Sequence, residues 1–110
     1  MRKVGPSQEQ IDSVISILSI GKFQEALEKT AILRQQYPGE SLLSNINGAC
    51  YQGLGQFENA IVYYEKAIII NPSYYKAHFN LGGALQELGK LNESIESFER
   101  ALSIKPDYAD

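Results

Sequence analysis

The sequence predicts an all-α protein built as a row of three antiparallel helix hairpins, and three observations carry that reading. The chain of 110 residues repeats itself at a spacing of 34, so that Gly48 pairs with Gly82, Gln52 with Gln86, Leu54 with Leu88, Gly55 with Gly89, Ala67 with Ala101, Pro72 with Pro106 and Tyr74 with Tyr108. A second slide brings Gly21, Phe23, Ala26 and Pro38 onto Gly55, Phe57, Ala60 and Pro72. Apolar residues recur at helical spacings of three and four, and no segment alternates with the period of two that marks a strand. The units are Ser7–Glu40, Ser41–Tyr74 and Tyr75–Tyr108, with 1–6 expected as a flexible lead-in and 109–110 as the start of a truncated next helix.

Helix A of unit one begins at Ser7, an N-cap residue followed three places later by Gln10 in a capping-box pattern, and Ile11, Val14, Ile15 and Leu18 give it an apolar stripe. It should close at Gly21, because glycine accepts the left-handed backbone that ends a helix; Gly55 and Gly89 hold the same place. Helix B of unit one is expected over about 24–36 and ends before Pro38, since proline disfavours helical geometry in the residue before it. Tyr37, Asn71 and Lys105 are the boundary residues that follow. Unit two places its helices at about 41–54 and 58–70, and unit three at about 75–88 and 92–104.

Gly48 and Gly82 fall in mid-helix, where glycine costs roughly 0.5–1 kcal/mol against alanine, so a close approach of two helices is expected there. Ala60 or Ser94, with Ala67 or Ala101, are the small residues expected to face them. Tyr51 or Leu85 and Tyr64 or Phe98 are expected to fill the space between units. Unit one has Val14 in the glycine place and Leu33 in an alanine place, which predicts a more splayed hairpin.

Composition excludes several function classes. A hydrophobic content of 44% with 21% charged residues is ordinary for a globular chain, and a net charge of -3 gives no basic footprint for nucleic acid or anionic membrane. The longest apolar runs are far shorter than a membrane span, and Gly5 and Pro6 stand where a secretory signal would have its apolar core. One cysteine cannot form an internal disulfide, and a cytoplasmic location is the expectation. Cys50 lies among apolar neighbours and reads as a packing residue, and His78 takes an aromatic place. One histidine and one cysteine make no metal-ligand set. Glu93, Glu96 and Glu99 read as a solvated outer face, and every glycine of a would-be phosphate loop is explained by the repeat. No enzyme activity and no cofactor are expected.

The Leu81-Gly82 pair, Leu85, Ser94, Phe98, Ala101 and Pro106, with Gly48, Tyr51, Ala60, Tyr64, Ala67 and Pro72 one unit earlier, resemble the tetratricopeptide repeat (TPR) family. The resemblance runs from Ser7 to Tyr108 and implies a right-handed superhelix whose A helices line a concave groove for a peptide or partner protein. By place in the repeat, that groove is lined by Ile11, Ile15 and Leu18, then Asn45, Ala49 and Gln52, then Lys76, Phe79, Asn80, Gly83 and Gln86. Ala49 and Gly83 leave room for a ligand chain, the amides suit an extended backbone, and Phe79 suits an apolar contact.

The family's two-carboxylate clamp for chaperone tails is matched at Lys76 alone. Ile11, Ile15 and Ile46 occupy clamp places and Asn80 stands where the arginine would be. The asparagine ladder of sugar-transferring relatives is matched at Asn80, but Asp12 and Ile46 break it.

Two further expectations concern the end of the array. Pro106-Asp107-Tyr108 parallels Pro72-Ser73-Tyr74, so the chain stops where another A helix would begin, leaving Ile95, Phe98 and Leu102 as a self-association face. The chain would then serve as a self-associating scaffold, or as the N-terminal docking region of a larger protein such as a glycosyltransferase or sulfotransferase.

Overall fold

The computed structural model describes residues 5–108, so the expectations for the first four residues and for 109–110 lie outside the described residues. Six helices follow in order: α1 Gln8–Ser19, α2 Phe23–Gln36, α3 Ser41–Gly53, α4 Phe57–Ile70, α5 Tyr75–Glu87 and α6 Leu91–Ile104. Each helix packs on its neighbours in sequence, with a further touch between α3 and α5, as in an all-α solenoid.

Local chemistry sets the helix ends. The Ser7 hydroxyl accepts the Gln10 N–H at 3.1 Å and the Gln10 side chain accepts the Ser7 N–H at 2.8 Å, which completes the capping box. Gly21, Gly55 and Gly89 have φ of 84°, 76° and 77°, the left-handed backbone that turns each A helix into its B helix. Tyr37, Asn71 and Lys105 are the C-cap residues of α2, α4 and α6, as the prolines require. The B helices begin one residue earlier than expected, at Phe23, Phe57 and Leu91, and α3 and α5 end one residue earlier.

What closes the second and third hairpins is an aromatic ring laid on a glycine. A Cβ at Gly48 would stand 2.5 Å from the Tyr64 ring, and one at Gly82 would stand 2.7 Å from the Phe98 ring. The small residues expected opposite the glycines contribute beside the rings: Ala60 is fully buried, and the Ser94 hydroxyl donates to the Gly82 carbonyl at 2.8 Å. Tyr64 also reaches the next unit, where it packs with Leu81, Ala84 and Leu85.

Unit one inverts the pairing. Val14 stands in the glycine place and is 2% exposed, and Thr30 stands in the ring place, its hydroxyl donating to the Ala26 carbonyl at 2.6 Å. Bulk moves from one helix to the other, and no ring spans the two backbones. The consequence is the splay the sequence predicts: α1 and α2 are the least closely packed hairpin, and a cleft of about 840 Å³ opens between them beside Val14 and Leu33.

Gly48→Ala gains about 0.5–1 kcal/mol in helix propensity but forces the Tyr64 ring off its seat at a cost of about 1–3 kcal/mol, so thermal unfolding should report a net loss of about 1–2 kcal/mol. Adding Tyr64→Leu to that variant should recover less than a second core deletion elsewhere would cost. Asn47 stands where unit three has Leu81, and its buried Oδ1 has no hydrogen-bond partner among the described residues. Asn47→Leu should therefore raise stability by about 1 kcal/mol in denaturant titration.

Candidate peptide groove

Two residues that sequence assigns to one groove, Asn45 and Asn80, meet across the A helices, and Tyr74 at the start of α5 extends their hydrogen bonds. Asn80 on α5 donates its side-chain amide to the Asn45 carbonyl on α3 at 3.2 Å, and Asn45 in turn donates to the Tyr74 hydroxyl at 3.4 Å. Asn45 is 8% exposed, so this chain of polar groups is part of the structure as much as of the surface. Burial pushes the Tyr74 phenol up from its ordinary pKa, partly offset by the Asn45 hydrogen bond.

Two turns along, the Tyr64 hydroxyl donates to the Gln52 carbonyl at 2.6 Å, which leaves the Gln52 amide nitrogen 3.5 Å from where a Gly83 side chain would begin. The absence of that side chain gives Gln52 its room. Asn45 and Gln52 are thus already engaged in the free chain; the amide groups left over are the Gln52 nitrogen and the Asn80 carbonyl.

Phe79 is not free-standing. Its ring centroid lies 5.1 Å from Phe98 and 5.0 Å from Tyr108, edge-on to the latter, yet it stays 39% exposed. Tyr108 also meets Tyr75 edge-on at 4.8 Å. Lys76 and Gln86 are exposed and Ala49 is half-buried. Ile15 is 43% exposed, whereas Leu18 is half-buried against the core of unit one and Ile11 is half-buried. Sequence reasoning missed Tyr74 and Tyr108, which follow Pro72 and Pro106 by two residues and fold back on the face of their own array. Their exact pairing at the period of 34 was the available signal.

Of the end-face residues, Phe98 is occupied by Gly82 and Phe79 and is half-buried, as is Leu102, while Ile95 is 53% exposed. The residues one unit earlier, Ile61 and Ile68, are half-buried against the cluster that includes Leu81, Ala84 and Leu85.

Other chemistry is sparse. Among the described residues no group of three His, Cys, Asp or Glu side chains is placed to hold a metal, and no helix is long and apolar enough to cross a membrane. Cys50 is fully buried and burial pushes its thiol up to about 11, far from a nucleophile at neutral pH. The His78 ring nitrogen Nε2 lies 2.9 Å from the Pro72 carbonyl, a contact between the loop that ends unit two and the first helix of unit three.

Two family models match the chain: one described as TPR repeat over residues 49–89 and one described as tetratricopeptide repeat over residues 75–108, together more than half its length. Solved structures agree. The second TPR of Spaghetti (RPAP3), bound to the HSP90 peptide SRMEEVD, is 28% identical with a TM-score of 0.83, over 88% of this chain and 90% of that one. The second TPR domain of human RPAP3, in complex with the HSP70 peptide SGPTIEEVD, is 28% identical with a TM-score of 0.82, over 89% of this chain and 82% of that one. The Sgt2 TPR domain from Aspergillus fumigatus has the same fold at 20% identity, with a TM-score of 0.86 over 97% of this chain and 73% of that one. No curated protein sequence matches the chain.

Alkali should unfold the protein through the buried Cys50 and tyrosine groups. Their folded pKa values are raised, so the unfolded chain loses protons first as pH rises; stability is full below about pH 9 and declines toward about pH 11 for Cys50. Urea midpoints measured across that window should fall, and Ellman's reagent should label Cys50 at pH 8 only after denaturant is added.

Proposed function

Because the chain belongs to the tetratricopeptide repeat family, we propose that it is a non-enzymatic interaction module that holds a partner segment against the face made by α1, α3 and α5. The observation that carries this reading is the combination at α3 and α5: a gap at Gly83 and Ala49, a free amide nitrogen on Gln52, the Asn80 carbonyl, and the exposed Lys76. An extended backbone needs donors and acceptors beside space for its own width, and this face offers both. The relatives solved with peptides support the mode of binding.

The chemistry of the segment differs from that of those peptides. Their sequences end in Glu-Glu-Val-Asp, whereas this chain sets Ile11, Ile15 and Ile46 at the places where the family's clamp is polar, and Lys76 is its one matching cation. Ile15, 43% exposed at the unit-one end, suits an apolar side chain of the ligand. The proposed partner is thus an extended segment with an apolar anchor toward α1 and hydrogen bonding along α3 and α5. A cytoplasmic setting fits one unpaired cysteine.

Self-association is a second reading, favoured by one observation: Ile95 is 53% exposed where its counterpart Ile61 is half-buried by α5. A second copy meeting α6 would cover it, and the chain would then act as a scaffold. The same groove would act as a docking region within a longer protein.

Peptides captured by the chain and mapped to a minimal segment should bind at least tenfold more weakly to a Lys76→Glu, Asn80→Ala double variant. Unchanged affinity removes the groove. The acidic peptide SRMEEVD should bind this chain at least tenfold more weakly than it binds the RPAP3 domain, and sedimentation from micromolar to near-millimolar concentration separates monomer from self-association.

A further inference from the structure

On the side of α5 away from the peptide face, α4 and α6 stand apart over a cleft of about 440 Å³. At 3.6 residues per turn, its floor residues Leu81 and Leu85 lie about half a turn from Gly83. The size is within the range of roughly 300–1,000 Å³ that ligand pockets occupy.

The repeat supplies a picture of what belongs there, because the equivalent place one unit earlier is filled. Tyr63 on α4 leans over α3 and stacks on Tyr51 with ring centroids 5.3 Å apart. The Arg34 guanidinium of α2 sits 4.8 Å from the centre of the same ring, and the Lys66 ammonium sits 4.6 Å from it. An aromatic ring held by a cation is the natural occupant of this notch.

Moving 34 residues along, the ring, its stacking partner and the α2 cation are replaced, while Arg100 keeps the cation of Lys66. Ser97 stands where Tyr63 was, so no ring leans in, and Leu85 replaces Tyr51 as an apolar floor. Ile68 replaces Arg34, which removes the cation from the neighbouring helix. Three carboxylates appear on the walls in exchange for uncharged residues: Glu65 for Ala31, Glu93 for Asn59 and Glu96 for Val62.

Lys90 and Arg100 also line the cleft, and none of these five charges forms an ion pair among the described residues. With Arg100 and with Lys90, which replaces Gln56, on the same walls, the three carboxylates leave a net charge of -1 above a floor formed by the buried Leu81 and Leu85.

We propose that the cleft between α4 and α6 binds a partner segment presenting an aromatic side chain beside an arginine or lysine. The ring takes the space that Ser97 leaves over Leu81 and Leu85, as Tyr63 does over Tyr51. The ligand's cation takes the role of Arg34 and is drawn to Glu65 and Glu96. This site is separate from the peptide face and stands whether or not that face binds anything.

The test is a titration of the isotope-labelled chain with three capped dipeptide amides, N-acetyl-Tyr-Arg, N-acetyl-Tyr-Glu and N-acetyl-Ala-Arg, read by amide chemical shifts. Tyr-Arg should move the Leu81, Leu85 and Ser97 signals with at least fivefold higher affinity than the other two. Ser97→Tyr, which supplies the missing ring internally, should abolish those shifts while circular dichroism stays helical. Glu65→Gln should cut the preference for Tyr-Arg over Tyr-Glu to below twofold, and this arm decides the matter if Ser97→Tyr does not fold. Glu28→Gln, exposed on α2 and outside both faces, should change nothing. Absence of shifts, equal response to the three probes, shifts confined to Asn80 and Gly83, or binding that survives a folded Ser97→Tyr would each overturn the proposal.

Discussion

The ring-on-glycine contact is the constraint from which the rest of the array follows. Tyr64 on Gly48 and Phe98 on Gly82 bring the backbones of an A helix and its B helix close enough for the small buried residues Ala60, Ala67, Ser94 and Ala101 to pack between them. A closely packed hairpin presents a flat apolar edge, and that edge is what the next hairpin seats on. Tyr64 links the two levels directly, because it lies on Gly48 within its unit and against Leu81 and Leu85 of the next. In a solenoid, where each unit meets only its neighbours, such a residue couples local closure to propagation.

Helix positions and ends were legible in the sequence because they are written in residues with strong local preferences. Ser7 with Gln10, the glycines at 21, 55 and 89, and the prolines at 38, 72 and 106 each act within a few residues of their own place, so a single chain suffices to read them. The partners of the mid-helix glycines were half legible. Sequence marks Gly48 as a close approach, but whether a ring or a methyl group fills it depends on the rotation of a second helix.

The groove was legible as a face and illegible as chemistry. Counting along the repeat brings Asn45, Asn80, Gln52 and Gly83 together, and the structure does so. Counting does not say that Asn45 is spent on Asn80 and Tyr74, or that Tyr64 takes the carbonyl of Gln52. Those bonds join residues 12 to 35 apart in the chain, and each forms only after the hairpins have closed. The Tyr51–Tyr63 stack with Arg34 was hidden for the same reason, since it draws on three helices at once.

The exchange of bulk between Val14 and Thr30 has a mechanical consequence. Hairpins two and three are keyed by a ring in a socket and can neither slide nor open without withdrawing it, whereas unit one rests on a valine and a hydroxyl tied back to its own helix. The Phe23 ring of α2 is likewise laid on Gly53 of α3, so the array is keyed from α2 to α6 and compliant at α1, like a tool with one fixed jaw and one sprung jaw. A segment held in the proposed groove across all three A helices would meet a rigid register on α3 and α5 and an adjustable grip on Ile15, at the end where its contact would be apolar.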